Sequence, residues 1–160
     1  MRKLLVSLPL LAPLAARADG VDTGDTAIVL VGAGMVMLMT PGLAFFYGGL
    51  VRSKNVVHTM ILSMVCMAVI GVLWALVGYS IAFSPGPGVL DGVLGGLSWA
   101  GLSGVGGEPE PSLSATVPHA AFMLFQAMFA IITPSLISGA WIVYRMLVKR
   151  QTRIGPSSCP

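Results

Sequence analysis

Charge is scarce in this chain. Nine Lys/Arg and six Asp/Glu make up 9% of its 160 residues, against roughly a quarter in a soluble domain. That shortage excludes an ordinary cytosolic domain and, with so much apolar surface, a disordered chain. No basic stretch is interleaved with aromatics on a polar face, which excludes a nucleic-acid binder. Cysteine is scarce too. Cys66 and Cys159 are the only two, too few for a disulfide framework. Apolar residues are abundant: they reach 56%, and mean hydropathy is +0.89. This is the composition of an integral membrane protein.

The N-terminus has its own pattern. Arg2 and Lys3 precede an apolar run from Leu4 to Leu14, and Ala16-Arg17-Ala18 is a small-x-small site before Asp19. This reads as a signal peptide over residues 1–18, with an uncleaved interfacial anchor as the alternative. Three long uncharged runs follow: Thr26 to Val51, Val56 to Phe83 and Val117 to Tyr144. Each exceeds the ~20 residues that span hydrocarbon as a helix. None alternates polar and apolar as a barrel strand does. The expectation is an all-α polytopic membrane protein with three transmembrane helices, at about 26–51, 56–83 and 117–144.

Charge also assigns the sides. After residue 18, every Lys and Arg lies in Arg52–Asn55 or beyond Tyr144, and every acid lies before the first helix or in the loop 84–116. The positive-inside rule puts 52–55 and 145–160 in the cytoplasm and the N-terminus and long loop outside. The loop is rich in turn formers, with nine Gly and four Pro. Its middle, Leu94 to Leu102, is too apolar to be freely solvated. It is expected to pack on the helix ends, with Trp99 near the interface.

Few residues could carry chemistry. Pro41-Gly42 sits mid-helix, and Gly32, Gly34, Ala44 and Gly48 offer small surfaces for close packing. Phe122, Phe125 and Phe129 share one face of the third helix. That stripe fits lipid contact or packing. It also fits a pore face, where stacked rings attract a small cation and exclude water. His58 and His119 each end a hydrophobic run, on opposite sides, and read as interfacial. Met35, Met37 and Met39 fall on different helix faces, so adaptable packing explains them better than copper. Cys66 lies in the bilayer and Cys159 in the tail, so they cannot pair. There is no catalytic set, P-loop, dinucleotide fingerprint or metal cluster. Neither an enzyme nor a cofactor is expected.

Four ordered motifs carry a family resemblance. The run Met39-Thr40-Pro41-Gly42-Leu43-Ala44-Phe45-Phe46-Tyr47-Gly48-Gly49-Leu50-Val51-Arg52-Ser53-Lys54-Asn55 resembles the first-helix signature of ammonium transporters of the Amt/MEP/Rh family. Leu73-Trp74 through Phe83, then Gly95 through Ala100, then Phe122 through Pro134 and on to Ala140 match in order. The resemblance implies the N-terminal part of a transporter domain over 19–140, in a larger bundle built as an inverted repeat. It implies an inner-membrane homotrimer with one pore per protomer, and a regulatory protein docking on the cytoplasmic face as a candidate partner. Ammonium would be recruited outside, and the deprotonated species would cross. A bare cation at the bilayer centre costs at least ~2.5 kcal/mol, a cost that neutral ammonia largely avoids.

Residue by residue, the resemblance makes Phe129 the outer gating ring and Phe125 the aromatic beside the recruitment site. Leu43 becomes an apolar pore-lining residue. His58 and His119 do not match the family's paired pore histidines. After Ala140 the match ends. Residues 141–160 form a divergent, polar cytoplasmic tail. The expectation is a truncated or frameshifted transporter, with an expressed short paralogue as the alternative. A second functional expectation is a non-transporting membrane fragment, or an accessory subunit associating with full-length protomers.

Overall fold

The computed structural model describes residues 20–86 and 94–152. The signal-peptide segment and Cys159 lie outside the described residues. The described chain is helical, with one isolated antiparallel bridge between Pro109 and Pro118.

Helix α1 runs Thr23–Leu50. Its start is capped by Asp22, whose carboxylate accepts from Gly24 N at 2.7 Å and Asp25 N at 3.0 Å. A short side-chain acceptor of this kind satisfies N–H groups that the first turn leaves unpaired. The helix continues unbroken through Pro41. A 3-10 turn, Ser53–Asn55, leads into α2, Val56–Leu73. A π-helical turn, Trp74–Gly78, then passes into the short α3, Tyr79–Phe83. Helix α4 runs His119–Thr152. Three segments, Thr23–Leu50, Ser53–Phe83 and His119–Lys149, are long and apolar enough to cross a membrane. Three such helices agree with the all-α multi-pass membrane protein expected from the sequence.

Two boundaries differ from the sequence expectation by three residues or more. Helix α1 begins three residues earlier, because Asp22 supplies the cap. Helix α4 continues eight residues past Tyr144. Leu147, Lys149 and Arg150 are good helix formers, and leaving the hydrocarbon does not end a helix.

The three spanning helices pack on one another pairwise. Helices α1 and α4 run parallel. At the acidic end Asp22 N donates to Thr116 O at 2.8 Å, and Thr116 Oγ1 donates to Asp25 Oδ2 at 2.6 Å. At the other end the Tyr47 hydroxyl donates to Leu136 O at 3.4 Å. Small side chains recur among the residues these helices bury. Helix α1 buries Ala33, Thr40, Ala44, Tyr47 and Gly48, with Gly48 against Val56 and Met60 of α2. Helix α4 buries Ala127, Ile131, Ser135 and Gly139, with Ile131 against Gly71 of α2. In lipid there is little hydrophobic drive between helices, so close van der Waals approach must supply it. Gly139 shows how close: a Cβ there would overlap the Tyr47 ring. Gly34, read as a packing surface, instead has open space and is exposed, as is Gly42.

Helix α2 is antiparallel to both neighbours. Its buried Thr59 and Ser63 return their hydroxyls to the backbone, Thr59 to Asn55 O and Ser63 to Thr59 O. Cys66, on the same face, lies 3.9 Å from the Ser138 hydroxyl.

Candidate functional site

The aromatic stripe of α4 divides between two neighbours. Phe122 turns toward the end of the second span, edge-on to Phe83 at 5.3 Å between ring centroids. Phe125 leans on α1, where a Cβ on Gly32 would come within 3.2 Å of its ring. Phe129 follows one turn deeper and meets Phe125 edge to face, at 5.1 Å and 75°. Such a geometry sets the positive edge of one ring against the negative face of the other. Phe129 is 46% exposed, so much of its ring is available from outside the three-helix cluster. Its carbonyl accepts from the Thr133 hydroxyl at 3.0 Å, just before Pro134.

Leu43 is half-buried on α1, beside the buried Ala44. It lies eleven residues past Gly32, hence ~16 Å further along the helix axis. The three sequence-predicted residues therefore fall at successive depths. Phe125 and Phe129 touch, and Leu43 lies below them on a neighbouring helix.

Above the Phe pair sits an aromatic cap. Ser80, at the outer end of the second span, accepts from Trp99 N at 3.1 Å and donates to Gly96 O at 2.9 Å. Gly95 N donates to Ile81 O at 2.8 Å. A Cβ on Gly95 would come within 2.6 to 2.7 Å of three carbonyl oxygens, those of Ile81, Ser80 and Ser84. Only glycine allows the loop to lie this close. The loop so docked brings Trp99 parallel to Tyr79, 5.8 Å away, and edge-on to His119, 4.7 Å away. Trp74 and Phe83 pack around the same Tyr79.

His119 is thereby buried, 3% exposed, and is not the interfacial residue expected from its position at the end of a run. The reason is the loop. Its backbone N donates to Glu108 O, and Trp99 covers its ring. Spacing along one chain cannot foretell such a cover; the apolar Gly-Gly-Leu-Ser-Trp stretch was the available signal. His58 is exposed at the opposite end. Met35, Met37 and Met39 are each more than half exposed, on the outer surface of α1. Among the described residues no three His, Cys, Asp or Glu come together as a metal site.

The arrangement pairs a docked outer cap with two edge-to-face rings beneath it. A ring face attracts a small cation.

Comparison with known proteins gives a consistent set of relatives. A family model described as Ammonium Transporter Family matches residues 27–148. The "Ammonium transporter" of Bacillus subtilis (strain 168) is 49% identical over 118 residues, which is 74% of this chain and 28% of that protein. The "Ammonium transporter" of Mycobacterium tuberculosis (strain ATCC 25618 / H37Rv) is 48% identical over 130 residues, 74% of this chain and 27% of that protein. The "Ammonium transporter Amt1" of Archaeoglobus fulgidus is 38% identical over 117 residues, 73% of this chain and 27% of that protein. The chain thus spans little more than a quarter of the length of the relatives it matches.

Proposed function

Because the chain belongs to the ammonium transporter family, we propose that it forms one wall of a channel-like pathway for ammonium and ammonia across the cell membrane. The edge-to-face pair of Phe125 and Phe129 is the observation that carries this reading. Phe125, nearer the outer end, attracts the external cation with its ring face, worth about 0.5–1 kcal/mol at an exposed site. Phe129, one turn deeper, gates the entry. Leu43 lines the path below, where an apolar wall suits the deprotonated species. The cation itself would pay at least ~2.5 kcal/mol at that depth. The fixed outer cap holds the mouth in shape, so recruitment does not require ordering of the loop at each passage.

The same proposal covers the finer points. The chain works as a transporter and not as an enzyme. Residues 19–140 belong to the transporter domain, with the family model's match running on to 148; 1–18 serve as a signal peptide and the residues after the match form the tail. The protomers assemble as a homotrimer, and a regulatory protein docks on the cytoplasmic face. A second reading rests on the coverage of just over a quarter of the relatives. In it, the polypeptide is a non-transporting fragment or an accessory subunit beside full-length protomers.

Growth on limiting ammonium separates the two. A strain without ammonium transporters expresses residues 1–160 alone, or together with the part of the Bacillus subtilis transporter that this chain does not match. Rescue by the pair, and not by either polypeptide alone, is expected. With both polypeptides in the membrane, absence of rescue would favour the accessory reading.

A further inference from the structure

The ring of Phe125 owes its place to an atom that α1 lacks. Gly32 is half-buried in the outer half of α1. A Cβ built on it would come within 3.2 Å of Phe125 Cε2 and 3.9 Å of Cδ2. Favourable contact between carbons lies at about 3.5–4.0 Å. The edge of the ring therefore occupies space that a side chain on any other residue would need. The remaining glycines of α1 have no such neighbour. Gly24 faces the Asp22 carboxylate, Gly48 faces Val56 and Met60, and Gly34, Gly42 and Gly49 meet nothing within 4 Å.

The ring has few ways to yield. An aromatic side chain on a helix has two favoured χ1 positions, and the third drives it into the preceding turn. Phe125 also meets Phe129 edge to face, at 5.1 Å and 75°. Parting α1 from α4 is opposed on both sides of this level. The Asp22–Thr116 and Thr116–Asp25 hydrogen bonds hold the helices above it, and the close approach of Gly139 to Tyr47 holds them below. Added volume at position 32 is therefore absorbed by tilting the Phe125 ring against Phe129, or by changing its rotamer. In either case the ring face turns.

We infer that Gly32 is a positioning residue for cation recruitment: by leaving room for the edge of Phe125, it sets the angle at which that ring offers its face and meets Phe129. This role rests on the reading of Phe125 as the recruiting ring. Gly32 touches no ion and acts only through Phe125. The effect of a substitution grows with the volume added, and vanishes when the Phe125 ring is removed.

Two measurements test it, the first without transport. The full chain carries 4-fluorophenylalanine at position 125, and its fluorine resonance is recorded in detergent micelles. Gly32→Val is expected to shift the resonance. Gly34→Val, which adds the same bulk in open space, is expected to leave it in place. The same response to both variants would overturn the inference. The second measurement is ammonium entry into vesicles holding this chain and the complementary part of the Bacillus subtilis transporter. Half-saturation is expected to rise about twofold with Gly32→Ala and up to about fivefold with Gly32→Val, the ceiling set by losing the ring's attraction altogether. The maximal rate stays the same, whereas a loosened helix pair would lower it at unchanged half-saturation. In a Phe125→Ala background, Gly32→Val is expected to change half-saturation no further. If Phe125→Ala raises half-saturation and Gly32→Val does not, the positioning role falls and the recruiting ring stands. If Gly32→Val acts as strongly without the Phe125 ring as with it, the positioning role also falls. If Phe125→Ala itself changes nothing, the recruiting ring falls and the positioning role with it.

Discussion

At the scale of single residues, Ser80 carries more than its size suggests. Its hydroxyl satisfies both Trp99 N and Gly96 O, and so fixes the outer loop over Tyr79 and His119. Ser80→Ala leaves a buried amide and a carbonyl without their partner, a loss of about 1–3 kcal/mol. Hydrogen exchange at the Trp99 amide is expected to speed up about five- to 150-fold, corresponding to that range, while the amides of mid-α1 stay unchanged. The burial of His119 was not legible in the sequence. Its position after Pro118 at the head of an apolar run describes the helix, whereas its burial comes from Trp99, twenty residues earlier. Phe125 and Phe129 were legible as a pair, since i and i+4 share a helix face. The partition of Phe122 to Phe83 was not, because it depends on how the second span ends.

At the scale of elements, the seam between α1 and α4 sets the shape of the molecule. Its closest point is Gly139 against Tyr47. Gly139→Ala must push the ring or the helix aside, at about 1–3 kcal/mol. Gly34→Ala meets nothing within 4 Å and is expected to be neutral, or to stabilise by up to about 1 kcal/mol through lost backbone freedom in the unfolded chain. Thermal unfolding midpoints in one detergent test the contrast: the first variant falls, the second holds or rises. Equal midpoints would mean the close approach is absent. The spans themselves were legible, because uncharged runs longer than a bilayer have few alternatives to helix. Which glycines face a neighbour was not. Gly48 does and Gly34 and Gly42 do not, although all three are equally small. Rotation of a helix in lipid is set by its partners, and α1 shows almost no apolar asymmetry to reveal it. The π-helical turn at Trp74–Gly78 left no signal either; it widens one turn within an otherwise uniform apolar run.

At the scale of the whole molecule, charge and aromatic rings are segregated by end. Acids and the aromatic cap occupy the outer end, and bases occupy the cytoplasmic end. The seam of small residues joins them, with the Phe pair partway down. The central claim is that Phe125 and Phe129 stand in the path of ammonium. It is tested most directly in vesicles holding this chain and the complementary part of the Bacillus subtilis transporter, with a pH-sensitive dye trapped inside. An external ammonium step is applied, and the initial rate of internal alkalinisation is measured against protein-free vesicles. The account predicts a saturable excess rate, with half-saturation raised about two- to fivefold by Phe125→Ala, as loss of about 0.5–1 kcal/mol of cation–π attraction requires. No excess over protein-free vesicles, or a half-saturation that Phe125→Ala leaves unchanged, would contradict it.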